Sequence, residues 1–487
     1  MRLKASWPAV IGLASVVFFP LVGSALAGPV PTSIAPGLSG EVYVIRASKL
    51  IIRPGEEVAN ASILVQDGRI LRIGQEMAVP EGATEVKGEV VCASFIDPWS
   101  ALGVDSQVLA DRGLVPASRA VDGLDLYSSD HLREEALEAG VTSIRLQGGW
   151  QGSIGGLGAV LRLDPAVDDP GAAAMLADAS LGMSVGLSIA QGSSFRQRPD
   201  GSFVMESGDR PVDVFDRLSA IDRVVTSIES GRSYRQAHVE YRYELEEWEK
   251  AIAESAEKLE KDFKKAKKKR DKEKKEAEEK GKEFKEEKYK EDKKPKQPKF
   301  DANKDVLARV AMGEIPLVVE VHRAGEIRNL LAGIEKLGRV RLIIAGGTEA
   351  LSAADDLAKR HIPVIVWPSL RGTSAKDEFS GHDLSQAAEL AEAGVTVLLG
   401  SGGRDATATR DLPLLASVAI GHGLDREAAF NALTLGAARA FDVSDRVGSV
   451  EVGKDADLLV LDGLPLETNT RVQYVFCGGR LVITPEN

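Results

Sequence analysis

The feature that most constrains this sequence is a repeated step of helix-like stretch, glycine and apolar run. The first example is a helix-like stretch from His131 to Ala139, followed by Gly140 and the apolar run Val141–Leu146. The alternation resumes later, with strand-like runs at 316–322, 340–345, 362–367 and 395–399 and helix-like runs at 324–337, 353–360 and 426–441. Buried strands that alternate with helices are typical of a parallel α/β barrel.

Short strands are predicted at both ends of the chain. Asp67-Gly68 between two alternating runs predicts a tight hairpin near the N-terminus. Similar runs return at Leu458–Leu461 and between 474 and 483. We therefore predict one small β-sandwich built from both termini. The glycine-rich stretch 152–158 predicts a turn, because it lacks the spacing and context of a dinucleotide-binding loop.

An apolar run leads into Phe95-Ile96-Asp97 and then to Trp99 and Ala101, which indicates a buried strand ending at a polar loop. This stretch resembles the first barrel strand of the amidohydrolase superfamily, in particular its imidazolonepropionase-like periplasmic branch. The superfamily pattern is Pro-Gly-Phe-Ile-Asp-x-His-x-His, and Ala93-Ser94 stands here for Pro-Gly. The resemblance continues in 139–149, Val319–His322, Gly346–Ala350, Ile362–Ile365, Ala432–Thr434 and 448–458.

The resemblance implies an α/β fold with a TIM-like (β/α)8 barrel, and metal-dependent hydrolysis of C–N bonds in non-peptide or cyclic amides. It implies two histidine ligands on the first strand, but their positions hold Trp99 and Ala101. Only His322 matches a ligand of the family. Gly346 and Gly402 stand at the sixth-strand histidine and the last-strand aspartate. We expect a catalytically degenerate protein that has a binding or scaffold role and needs no cofactor.

An alternative keeps the enzyme active with a divalent metal such as zinc at a relocated site. Glu320 lies two residues before His322, so both side chains point the same way on a strand. Asp405 lies near the lost aspartate position, but out of register with it. These three residues are the candidates for such a site, and Asp405 is then the candidate catalytic residue.

Three tryptophans fall at or just beyond the C-terminal ends of predicted strands: Trp99, Trp150 and Trp367. The functional end of a parallel barrel is the C-terminal end of its strands. The tryptophans either fill a vacated metal cavity or form an aromatic pocket for a sugar or apolar small molecule. In the second case Arg145 and Glu320 would be its polar anchors.

The segment 240–305 is a charged insertion. Leu245, Trp248, Ile252, Leu259 and Phe263 form one helical stripe, beyond which few apolar residues remain. We predict a helix whose first turns lie buried on the body and whose remainder projects into solvent. The projecting arm is either simply solvated or a docking site for a protein partner.

The net charge of −12 is unevenly distributed. Residues 244–299 contain 21 basic and 18 acidic residues, which leaves 40 basic and 55 acidic residues in the rest of the chain. An acidic body argues against a nucleic-acid partner. The two cysteines, Cys92 and Cys477, do not make a disulfide framework, and whether they pair stays open.

The N-terminus has the pattern of a secretory signal peptide. Arg2 and Lys4 precede a short apolar run, which closes on Ala25-Leu26-Ala27. We expect cleavage before Gly28, an exported protein in the periplasm or medium, and no membrane span afterwards. The predicted division is then a signal peptide (1–27), sandwich (28–94 and 447–487), barrel halves (95–239 and 306–446) and insertion (240–305).

Overall fold

The computed structural model of the chain describes residues 41–104, 115–127, 129–147, 154–185, 189–197, 203–211, 214–278, 294–368, 383–403 and 406–485. Within these ranges the chain forms an eight-stranded barrel sheet, a seven-stranded sheet made from both ends of the chain, and a long helix. The predicted α/β barrel with a separate β-structure from the termini is therefore confirmed. The predicted signal peptide lies outside the described residues.

The sheet from the termini has the strand order β17-β16-β15-β4-β1-β2-β3. Its strands are β1 (Val42–Arg53), β2 (Glu56–Gln66), β3 (Arg69–Gly74), β4 (Thr84–Ala93), β15 (Leu458–Leu461), β16 (Val472–Cys477) and β17 (Arg480–Ile483). The predicted hairpin is present, with Gln66 opposite Arg69. Asp67 and Gly68 both have positive φ, which is the geometry of a two-residue hairpin turn. Cys92 and Cys477 are buried in this part of the fold as free thiols.

The barrel sheet has the order β14-β13-β12-β11-β8-β7-β6-β5. Its strands are β5 (Phe95–Ser100), β6 (Val141–Leu146), β7 (Ile154–Arg162), β8 (Ala174–Ser184), β11 (Leu317–Val321), β12 (Leu342–Gly346), β13 (Val364–Val366) and β14 (Val397–Leu399). One strand departs from a regular parallel barrel, because β7 runs antiparallel to both β6 and β8. β7 also overturns the predicted turn in most of the glycine-rich stretch. A separate antiparallel hairpin of β9 (Ile189–Gln197) and β10 (Phe203–Pro211) follows β8.

The helices cover the outside of the barrel and one of its ends. They are α1 (Asp130–Glu138), α2 (Pro170–Ala173), α3 (Val214–Glu278), α4 (Ala302–Ala311), α5 (Ala324–Glu335), α6 (Ala354–Lys359), α7 (Gln386–Glu392), α8 (Leu412–Gly421), α9 (Arg426–Leu433) and α10 (Leu435–Ala440). No helix in the described part of the chain is long and apolar enough to cross a membrane.

The barrel interior is a packed apolar core of its own. Alternate residues of the strands point inward, among them Ile96, Val318, Ile343, Ile365 and Leu398. Further members of the same cluster are Ala437, Ala438, Phe441, Val443 and Val447, from α10 and the chain just after it. An inward layer on every strand is what a closed sheet requires, and here it leaves a filled barrel.

The long helix α3 begins as part of the body and continues as an arm. Gly231 lets α3 approach α4 closely, since a Cβ at this position would lie 2.3 Å from the backbone of Leu307. Farther along, Leu245, Trp248 and Ile252 are only half-buried. The returning chain covers part of them, because Lys294 Nζ lies 5.8 Å from the Trp248 ring centroid. The prediction that this stripe lies buried on the body is therefore wrong for these three residues.

Candidate functional site at the barrel mouth

Two tryptophans meet at the C-terminal end of the barrel strands. Trp99, near the end of β5, stacks on Trp367, which directly follows β13, with ring centroids 6.1 Å apart and an interplanar angle of 24°. Trp99 is buried, whereas Trp367 is half-buried. Ala101, at the second lost histidine position, is fully buried and belongs to a different apolar cluster from Trp99. The first strand therefore presents an indole and a methyl group at the two positions where the resemblance implies imidazoles.

Glycines at the end of β12 and in the loop after β14 make room for these rings and for His322. A Cβ at Gly346 would lie 2.3 Å from Cε1 of His322, and a Cβ at Gly403 would lie 2.5 Å from Cδ1 of Trp99. A contact of 2.3–2.5 Å is far inside the normal separation of carbon atoms. Gly402, at the lost aspartate position, packs against the Trp367 ring. Side chains at positions 346 and 403 are thus incompatible with the present placement of the rings.

Arg145 of β6 occupies the interior beneath this aromatic pair. Its guanidinium carbon lies 5.0 Å from the Trp99 ring centroid and 5.3 Å from that of Phe441. It donates hydrogen bonds to Ser180 Oγ at 2.7 and 3.0 Å and to Oε1 of Gln147. No carboxylate of the described residues pairs with it, and its Nη1 has no hydrogen-bond partner there. Burial lowers the pKa of this arginine to about 9.

His322, the single matched ligand position, is buried just beyond β11. Its Nδ1 lies 2.7 Å from Thr348 Oγ1, and its Nε2 lies 3.4 Å from Oε1 of Glu320. The ring of Trp367 contacts His322 edge to face, with centroids 6.0 Å apart. Glu320 also accepts a hydrogen bond from Ser184 Oγ at 3.3 Å. The structure thus brings the predicted residues His322, Glu320, Trp99, Arg145 and Trp367 into one cluster.

Asp97 joins the first and last strands of the barrel. Its carboxylate accepts hydrogen bonds from the backbone amides of Trp99 and Ser401, both at 3.1 Å, and from Thr409 Oγ1 at 3.0 Å. Burial raises the pKa of this carboxyl, although these hydrogen bonds oppose the rise. Ser401 Oγ also donates to the carbonyl of Trp99 at 3.1 Å. Asp97 therefore holds β5 against the loop after β14, which brings the two edge strands of the sheet together.

The described residues at this mouth do not fit a catalytic metal ion. A zinc site needs several nitrogen, oxygen or sulfur donors that converge on one point. Among the residues that the structure describes, no group of three or more His, Cys, Asp and Glu side chains is placed to hold a metal. Both ring nitrogens of His322 face side-chain oxygen atoms of the protein. The candidates Trp150 and Asp405 lie outside the described residues.

Several contacting residues of this cluster were not predicted from the sequence. Thr348, Gln147, Ser180 and Thr409 each form a hydrogen bond to a residue discussed above. Phe441 supplies the second aromatic face beside Arg145. Thr348 was reachable from its place in the Gly-Gly-Thr-Glu phrase, whereas Thr409 lies 312 residues from Asp97 and has no local pattern.

The fold and the position of the cluster define an α/β-barrel protein with a terminal β-sheet and a site at the C-terminal ends of the barrel strands. Residues 131–482 match the amidohydrolase family. The chain belongs to this family.

The chain is also similar to individual proteins. An amidohydrolase from Thermotoga maritima superposes with a TM-score of 0.63 at 22% identity, covering 91% of this chain and all of that one. A second amidohydrolase structure gives a TM-score of 0.51 at 15% identity, covering 92% of this chain and all of the other. Both are evidence of the fold alone. An imidazolonepropionase of Syntrophobacter fumaroxidans is 40% identical over 79 residues, which is 16% of this chain and 19% of the relative's length.

Proposed function

We propose that this chain is a catalytically degenerate, exported amidohydrolase that has a binding or scaffold role. The observation that carries the proposal is the filled barrel mouth. A stacked Trp99–Trp367 pair and the buried Arg145 occupy the region in which family members of the resembled branch hold their metal ligands. Hydrolysis of a C–N bond in this family depends on a metal-bound water, and that water needs a stable metal site.

The charge at the centre of the barrel supports the same proposal. A protonated Arg145 guanidinium beside Trp99 repels a divalent cation, and the repulsion is strong because the surroundings are apolar. His322 lacks the freedom to compensate, since its two nitrogens already face Thr348 and Glu320. A lone imidazole with these contacts is a poor zinc ligand, because zinc sites are built from three or four protein donors.

The half-buried face of Trp367 supports a binding role at the barrel mouth. An indole that is partly open to solvent at the mouth of a barrel suits a sugar ring or another small molecule with an apolar face. Trp99 stacks on Trp367 and His322 contacts its edge, so these two side chains would fix its position. Arg145 and Glu320 in turn contact Trp99 and His322. A protein partner on the charged arm is the scaffold form of the proposal.

A second candidate is an active hydrolase with a relocated metal site. The contact between Glu320 and His322 favours it, because a carboxylate and an imidazole 3.4 Å apart could share a metal after a small rearrangement. Asp405 would have to supply a further ligand and the base.

Metal content distinguishes the two candidates. The mature chain, from residue 28, is produced in zinc-replete medium, dialysed and analysed for metals, and then assayed against amide, cyclic amide and lactone substrates. We expect neither stoichiometric zinc nor hydrolysis. One tightly held equivalent that is lost in His322→Ala, but kept in the matched variant of the exposed His422, His422→Ala, would overturn the proposal in favour of the relocated site.

Tryptophan fluorescence tests the binding role. Sugars and small apolar molecules are titrated into the mature chain, and we expect a saturable change in emission for at least one class. The change should disappear in Trp367→Phe and persist in Trp248→Phe, which alters a half-buried tryptophan on the long helix. A response that survives Trp367→Phe would place ligand binding elsewhere.

A further inference from the structure

A second cleft lies at the opposite end of the barrel from the tryptophan pair. It has a volume of about 580 Å³ and is formed where β11 to β14 begin, beside α10. Pro316, Leu342 and Pro363 lie in its wall, each at or next to the N-terminal end of a strand. Family catalysis belongs to the C-terminal ends of barrel strands, so this cleft is separate from the candidate site described above.

The lining of this cleft is basic. Arg341, Arg360, His361 and Arg439 all contribute to it, and it contains no aspartate or glutamate among the described residues. The rest of the body carries a strong excess of acidic residues, as the sequence shows. A cluster of arginines without acidic lining residues is therefore unusual on this surface, and it creates a local positive potential that attracts anions.

Two of the arginines, Arg360 and Arg439, have no acidic partner in the described part of the chain that offsets their charge, whereas Arg341 has one. Asp442 offsets the charge of Arg341 through two hydrogen bonds of 2.7 and 2.8 Å. Arg360 donates through Nη1 to the carbonyl oxygen of Leu331 at 3.0 Å, which fixes its guanidinium without neutralising it. Arg439 is exposed, and among the described residues neither it nor Arg360 forms an ion pair.

Neutral hydrogen-bonding groups complete the cleft. Thr396 and Asn431 lie in the lining beside the arginines. Guanidinium groups match the oxygen atoms of phosphate and carboxylate groups through paired N–H donors, and hydroxyl and amide groups add further contacts. The combination is the chemistry of a site for a small molecule that carries more than one acidic oxygen group.

We propose that this cleft binds a small polyvalent oxyanion, with Arg360 and Arg439 as its main charged contacts and Arg341, held by Asp442, as a fixed third donor. The proposal is independent of the proposed function of the barrel mouth, since the two sites lie at opposite ends of the barrel. Ligands with two or more phosphate or carboxylate groups should bind more tightly than monovalent anions, because they can contact both unpaired arginines.

Calorimetric titration of the mature chain with inorganic pyrophosphate and with citrate tests the proposal. We expect saturable binding to at least one of them that weakens with added salt. Arg439→Ala should reduce the affinity about tenfold or more, because the variant loses a hydrogen bond between two charged groups. The control is Arg471→Ala, which removes an exposed arginine outside the cleft lining.

Co-sedimentation with vesicles that contain phosphatidylglycerol tests whether the bound phosphate belongs to a lipid headgroup or to a free anion. Co-sedimentation that depends on Arg439 would support the cleft with a lipid ligand, and pyrophosphate binding without co-sedimentation would support a free one. Absence of saturable binding to every probe would overturn the proposal, as would equal loss of affinity in Arg439→Ala and Arg471→Ala. Arg439 is exposed, so its substitution should leave the thermal unfolding temperature nearly unchanged.

Discussion

Arg145 is an unpaired arginine inside the barrel, and we expect it to make the stability of the fold depend on pH in a way that few other residues of this chain do. Replacing Arg145 with methionine removes the charge but keeps a long side chain between Trp99 and Phe441. The wild-type arginine has a folded-state pKa of about 9, lowered by burial, whereas in the unfolded chain the group keeps its ordinary, much higher value. Between these two values the unfolded state binds more protons than the folded state.

The sign of the effect follows from that difference. The destabilising contribution of the buried charge is fully present below pH 9, and it is relieved as the pH rises through the folded-state pKa. Each pH unit above 9 then stabilises the wild type relative to Arg145→Met by about 1.4 kcal/mol. Between pH 7.5 and pH 10.5 the free energy of unfolding of the wild type should therefore increase by about 2 kcal/mol relative to that of the variant.

The assay is urea unfolding of both proteins at the two pH values. Lysines and tyrosines also titrate in this range, but their effects cancel in the difference between wild type and variant. Arg162→Met is the matched control, because Arg162 is paired with Asp455 at 2.6 Å and Asp457 at 2.8 Å. Burial lowers the pKa of Arg162, but these two carboxylates outweigh that effect and raise it. The difference in free energy of unfolding between wild type and Arg162→Met should therefore be the same at both pH values.

The two arginines should differ at neutral pH as well. Arg162→Met leaves the buried carboxylate of Asp457 without its cation, whereas Asp455 keeps Arg446 at 2.7 Å, and the variant should destabilise the fold by about 3–5 kcal/mol. Arg145→Met loses hydrogen bonds to Ser180 and Gln147 but also removes an unfavourable burial, so the loss should be smaller. A stability difference between wild type and Arg145→Met that is the same at pH 7.5 and 10.5 would refute the account of Arg145 as an unpaired buried cation.

The first barrel strand, the charged arm and the N-terminus each allow one further test. The double variant Trp99→His, Ala101→His should not acquire stoichiometric zinc, measured by elemental analysis, and should unfold at a lower temperature because a buried indole is removed. Replacing 264–290 with a short Gly/Ser linker should scarcely change the unfolding temperature, since this stretch has little apolar area to bury. N-terminal sequencing of exported protein should give Gly28, and an intact Met1 in a membrane fraction would contradict the predicted signal peptide.

Much of the barrel could be predicted because its strands carry local signals. The run Val141–Leu146 after Gly140 coincides with β6, and the predicted strand at 316–322 contains β11. β7 was missed because its glycines have low strand propensity. Its pairing comes from neighbours instead: Leu161 lies opposite Ile144, and Leu157 lies opposite Leu181. Pairing with the neighbouring strands overrides the low strand propensity of β7, and no local sequence pattern indicates this pairing.

The candidate site divides in the same way. The lost ligand positions could be read from the sequence because each lies within a family phrase. The contacts that organise the mouth could not, because they join distant segments. Ser401 and Thr409 reach Asp97 across about three hundred residues of chain. The half-buried state of Trp248 could not be predicted either, because Lys294, which contacts its ring, lies on the far side of the charged stretch in the sequence.

The proposed loss of the ligands and the presence of the tryptophans are linked by packing. With Gly346 and Gly403 in place, His322 and Trp99 can occupy positions that a side chain at residue 346 or 403 would block. Trp99 in turn forms one face beside Arg145, so restoring a histidine there would leave a void against a buried charge. A return to a metal site therefore needs changes on β5, after β12 and after β14 together. Each single step is expected to destabilise the packed mouth, which is why the proposed degenerate state would not be reversed by restoring one ligand.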